Sequence, residues 1–163
     1  MGAIILSPLV VVAQAPLLVS GGGKGTFEAD LDGDGDIDGS QFGMGVSLLG
    51  NGSAQGHFEC LMAGNSDILG LPLMAVEGKV THGSSTADGS ATFSGVANVN
   101  LGHGVMFKGV PFVVTVTAGG PGVGTLTLTV IGAFDGVPGD TIPGNGNYDL
   151  PTEMVASGQI KIH

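Results

Sequence analysis

The chain is expected to be all-β: a small antiparallel β-barrel, or a sandwich, of about eight short strands joined by long loops rich in aspartate and glycine. Three observations predict this. Short segments alternate apolar and polar residues with a period of two, as in Thr125-Leu126-Thr127-Leu128-Thr129-Val130. The 32 glycines gather between such segments, where tight turns use them. No stretch carries a helical period. Many short strands without helices imply a sheet folded onto itself, and the barrel is the favoured form.

Taken in order, residues 17–20 lead into the Gly21-Gly22-Gly23 turn, and 25–28 approach an acidic loop. Strands are expected at 42–48 and 56–63, joined through Gly50-Asn51-Gly52, then at 73–82 and 91–98, turned near Ala87-Asp88-Gly89. Gly102-His103-Gly104 reads as a turn. Residues 106–117 precede a Gly119-Gly120-Pro121-Gly122 turn, 125–134 follow it, and 154–163 complete the set. Phe107, Phe112, Val114 and Val116 form an apolar stripe read as core. Cys60 shares its parity with Phe58 and Met62, which reads as a buried small hydrophobe; a single cysteine also excludes an intramolecular disulfide.

Residues 16–163 suit one domain with one core. Residues 1–15 look like a secretory leader: Ala3 to Val12 is an apolar run and Ala13-Gln14-Ala15 a small-x-small cleavage site. The absence of Lys or Arg near Met1 and the presence of Pro16 count against it. The run is too short for a membrane span, and Pro8 interrupts it. The expected location is secreted or cell surface.

Net charge is −10, and the four basic residues, Lys24, Lys79, Lys108 and Lys161, are scattered. Polyanion binding needs clustered cations that release counterions, so nucleic acid and anionic membranes are not expected partners.

The most specific chemistry lies in residues 28–41, where six acidic side chains occupy one glycine-interrupted stretch. Carboxylates about 6 Å apart repel by roughly 1 to 3 kcal/mol per pair, so a fixed fold holds them together best around a cation. An EF-hand-type frame places Asp30, Asp32 and Asp34 at positions 1, 3 and 5, Gly35 at the sharp turn, the Asp36 carbonyl at 7, Ile37 at 8, Asp38 at 9 and Gln41 at 12. Gln41 stands where the frame wants a bidentate Glu, so calcium affinity is expected near the ~10⁻⁴ to 10⁻³ M of extracellular modules. The run looks like the calcium loops of dockerin modules over about twelve residues. The alternation of Phe42, Met44, Val46 and Leu48 after it is a strand period, which argues against the dockerin fold and a cohesin partner.

A second polar loop carries Asp135, Asp140, Asn145, Asn147, Asp149 and Glu153. Its alternate-residue oxygens could also converge on a hard cation, although any long turn uses the same residue types. In a closed barrel the two acidic loops could share a rim. His57 and Glu59 share a strand face, where Glu could orient imidazole for proton transfer; an ordinary outward face is the simpler reading. No nucleophile elbow, phosphate loop, dinucleotide fingerprint or zinc-hydrolase motif occurs.

Three features, Val19-Ser20-Gly21-Gly22-Gly23, the 112–117 strand before a Gly-Pro-Gly turn, and Gly158-Gln159-Ile160-Lys161-Ile162-His163, together with Gly56-His57-Phe58-Glu59, resemble the post-COAP family of secreted bacterial domains. The resemblance implies an antiparallel β domain in an exported protein and brings no catalytic residues. Three functional readings follow: a non-enzymatic, calcium-stabilised accessory, adhesion or binding module; a self-assembling surface or fibre subunit that adds its N-terminal apolar segment to a neighbouring copy as a strand; and a small-barrel enzyme or ligand binder using His57 and Glu59.

Overall fold

A computed structural model describes residues 15–30 and 38–163, with the backbone alone at 63–68 and 72. The expected leader, apart from Ala15, lies outside the described residues. The described chain forms nine strands and no helix: β1 (Leu17–Thr26), β2 (Gly39–Leu48), β3 (Ser53–Ile68), β4 (Leu71–Ser85), β5 (Ser90–Gly102), β6 (Val105–Thr117), β7 (Thr125–Val130), β8 (Tyr148–Asp149) and β9 (Glu153–Ile162). All pairings are antiparallel, in the order β6-β5-β4-β3-β2-β1-β9-β7-β8. The additional β6–β7 pairing closes eight strands into a barrel-like ring, with β8 a two-residue addition to β7. One closed sheet replaces the two facing sheets of a sandwich.

Inward positions follow the predicted parity. Phe42, Met44, Val46 and Leu48 of β2, Phe58, Cys60 and Met62 of β3, and Leu126, Leu128 and Val130 of β7 are all buried. The Phe58 ring stacks on Phe112 at 5.8 Å and tilts against Phe93 at 6.0 Å. Room for the Phe112 ring comes from Gly78, which pairs with Phe58 across β3 and β4. A Cβ on Gly78 would stand 2.6 Å from the Phe112 ring. Each fully buried aromatic or aliphatic side chain contributes about 1.5 to 3 kcal/mol. Phe107 departs from the predicted stripe: it is part-exposed and meets Phe134 edge to face at 5.0 Å.

Gly21, Gly22 and Gly23 are not a turn but the middle of β1, which continues through them to Thr26. Close approach of β9 explains two of the three: a Cβ on Gly21 would lie 2.8 Å from the Gln159 carbonyl, and one on Gly23 only 1.9 Å from that of Ser157. The register between β1 and β9 shifts between Lys24 and Gly25, leaving Ala156 as the extra residue of a bulge. That insertion changes parity within β9, so both Val155 and Ile160 face the core.

The turns at Gly50 to Gly52, at Gly89 and at Gly102-His103-Gly104 fall where expected; in the last, all three residues have positive φ. β7 ends at Val130, four residues short of the expected strand, and Phe134 takes a left-handed φ of 61° in the loop that follows. Strand directions place the β1–β2 and β7–β9 connections at the same end of the ring.

Candidate metal centre

The first acidic loop is closed at its neck by the sheet. Thr26 pairs with Gly39, and the Phe27 N–H donates to the Asp38 carbonyl at 2.9 Å. Asp32, Asp34, Gly35, Asp36 and Ile37 lie outside the described residues. Asp30 is half-buried at one side of the neck, and Asp38 is fully buried at the other.

Beyond the neck the EF-hand frame and the strand diverge. Positions 9 and 12 share a face on a helix, where residues three apart are neighbours, but a strand sends them to opposite faces. Asp38 has the inward parity of Ser40 and Phe42, whereas Gln41 is exposed on the outer wall between Lys24 and Leu61. The structure does not bring Asp38 and Gln41 to one point. Among the described residues, no group of three or more His, Cys, Asp or Glu could hold a metal ion.

The second loop uses its oxygens internally. Asp135 accepts from the Gly144 N–H at 2.7 Å and the Gly146 N–H at 3.1 Å. Asp140 accepts from the N–H groups of Gly136, Ile142 and Asp149 at 2.7, 3.0 and 3.2 Å. Burial acts upward on the Asp140 carboxyl, and those N–H groups outweigh it, holding the acid below its ordinary range. Asp149 accepts from Thr129 Oγ1 and Asn145 Nδ2 at 2.9 and 2.7 Å. The Asn145 and Asn147 side-chain oxygens accept backbone N–H groups in turn. Every candidate from Asp135 to Asp149 thus accepts hydrogen bonds from protein donors, backbone N–H groups for Asp135, Asp140, Asn145 and Asn147 and side chains for Asp149.

Glu153 does not join that loop. It begins β9 facing inward, 2 % exposed, and accepts a 2.7 Å hydrogen bond from Ser40 Oγ. Gly25 makes the space, since a Cβ there would stand 2.1 Å from Glu153 Oε2. Burial pushes the Glu153 carboxyl up to about 7, with Ser40 pulling partly against it. Burial first, and then the charge of Glu153, push the Cys60 thiol up to about 12, so it is no nucleophile. Tyr148 donates its hydroxyl to the Pro138 carbonyl at 3.0 Å; burial, then the charges of Asp140 and Asp38, push its hydroxyl above the ordinary phenol range. The two acidic loops therefore share a rim, and Ser40, Glu153 and Tyr148 lie where they meet.

Sequence parity could have found part of this rim, because Glu153 lies two residues before inward-facing Val155. His57 and Glu59 are both exposed on the outer wall, opposite Lys79 and Glu77 in register, and no hydrogen bond joins them. No helix among the described residues is long and apolar enough to cross a membrane. No family model matches the chain, and neither the curated proteins nor the solved structures include a match.

Proposed function

We propose that this chain is a non-enzymatic extracellular β domain stabilised by calcium, serving as an accessory, adhesion or binding module of a bacterial surface or secreted protein. The observation that carries the reading is the closed neck of the first loop. A ladder pair and a backbone hydrogen bond tie together the two ends of a segment that contains six carboxylates. Acids confined in this way repel one another, and a divalent ion relieves the repulsion. Asp30, Asp32, Asp34 and the Asp36 carbonyl would hold the ion, with hard oxygen ligands of the kind calcium prefers. The likeness to the post-COAP family supports an exported setting, where calcium is plentiful enough for a weak site. The second loop supports a single-site reading, because its oxygens already have donors.

Thermal melting in calcium and in chelator tests the proposal. The wild type should melt higher in calcium, and Asp32→Ala with Asp34→Ala should remove the difference. A wild-type melting curve indifferent to calcium would refute the reading.

A further inference from the structure

The outer wall carries a groove that neither the acidic loops nor the core explains. Cross-strand register lays out two rows of residues over β1 to β4: Gly22, Gly43, Glu59 and Glu77 in one, and Lys24, Gln41, Leu61 and Ala75 in the next. Between them lies an open concavity of about 580 Å³, lined among others by Lys24, Gln41, Gly43, Glu59, Leu61 and Glu77. That volume falls within the range of small-molecule sites.

Gly43 forms its floor, and the usual reasons for a strand glycine do not apply to it. Its φ is not positive. The registers with β1 and β3 run through it without a shift. A Cβ built there would meet nothing within 4 Å, in contrast to Gly21, Gly23 and Gly78, where neighbouring atoms forbid one. Glycine in a strand interior costs roughly 0.5 to 1 kcal/mol relative to alanine. With bulge and crowding absent, the reasons left for such a glycine are a bend of the strand and close approach of a ligand, and the cavity above Gly43 favours the second.

The charges around the floor are incomplete in a specific way. Glu59 and Glu77 are directly opposite in register, an arrangement in which like charges destabilise a sheet. Lys24 stands on β1, two strands and one row from Glu59, about 12 Å away at ordinary strand spacing. Among the described residues no ion pair joins Lys24 to either glutamate. His57 and Lys79 form the next outward pair along β3 and β4, so Lys79 lies two residues from Glu77 on the same face, and among the described residues no ion pair joins it to either glutamate.

We propose that this groove binds a small zwitterionic ligand of the ω-amino acid or short-peptide class. Its ammonium lies between Glu59 and Glu77, its carboxylate meets Lys24 and Gln41, and its aliphatic body crosses Gly43 beside Leu61. The site is independent of the calcium loop.

The test is a titration of the full chain with ε-aminocaproate, followed by amide chemical shifts, with caproate and hexylamine as single-charge comparators. Saturable shifts at Gly43 and Leu61 are expected, with each comparator binding about tenfold more weakly. Gly43→Val, which fills the floor, should abolish the shifts at an unchanged melting temperature; Lys24→Gln and Glu59→Gln should each weaken binding by about tenfold. The last two variants decide the matter should Gly43→Val fail to fold. Absence of saturable shifts in the folded wild type overturns the proposal. So does hexylamine binding as tightly as ε-aminocaproate, or binding undiminished in the variants.

Discussion

The two acidic loops carry similar residues and handle charge in different ways. In the loop from Asp135 to Asp149 each carboxylate finds donors: Asp135 takes the N–H groups of Gly144 and Gly146, Asp140 takes three N–H groups, and Asp149 takes Thr129 Oγ1 and Asn145 Nδ2. In the loop from Glu28 to Asp38, six acids fall within eleven positions, and the neck brings the ends of the segment together. The comparison teaches that spacing matters more than acid content. Aspartates separated by several turn-forming residues can be neutralised by the loop's own donors, as Asp135 and Asp140 are, whereas the proposal for the Asp-x-Asp-x-Asp run is that a cation does the same work.

The largest expected effect is at the point where the loops meet. Glu153 has an ordinary unfolded value of 4.5 and a folded one of about 7, because burial penalises its charged form. A raised folded value means that its contribution is fully present below pH 4.5 and is lost as pH climbs through 7. The loss is on the order of 3 kcal/mol at 1.36 kcal/mol per unit. Urea midpoints measured from pH 5 to 8 should fall for the wild type, and Glu153→Gln should flatten that fall. A wild-type slope retained in Glu153→Gln would assign the titration to another group.

Calcium should separate the loops next. With calcium at about ten to a hundred times its dissociation constant, binding stabilises by about 1.4 to 2.7 kcal/mol, worth several degrees in melting temperature for a chain of this size. Asp32→Ala with Asp34→Ala should abolish that increment, while Asp135→Ala with Asn145→Ala should lower the melting temperature and leave the increment intact. An increment that disappears with the second pair would move the ion to the other loop.

Much of this architecture is legible in the residues themselves. Alternation marked the inward positions of β2, β3, β6 and β7, because a half-buried strand has a strict period of two. The ring's closure and the shared rim follow from an even succession of antiparallel strands. What stayed hidden needed three dimensions. The glycine run in β1 reads as a turn until the carbonyls of Gln159 and Ser157 show why side chains are excluded there. The bulge at Ala156 leaves no local mark and reverses parity within β9. Glu153 reads as a loop ligand because Ser40, its partner, is 113 residues away. Gln41, which the EF-hand frame sets near Asp38, lies on the opposite face of β2, a placement that depends on the strand and not on the spacing of the loop.

The smallest effect sharpens the loop comparison from the other side. Asp140→Ala removes an acceptor shared by three backbone N–H groups and should cost about 1 to 2 kcal/mol, in the manner of a lost helix cap. The loss should be equal in calcium and in chelator. Denaturant midpoints check this, and a loss confined to calcium would show that the carboxyl binds the ion.

The most direct measurement is anomalous diffraction from a crystal grown in calcium. The account predicts one peak within the first loop, with oxygens of Asp30, Asp32 and Asp34 and the Asp36 carbonyl at about 2.3 to 2.6 Å. Carboxylates turned away from one another, with no peak among them, would contradict it.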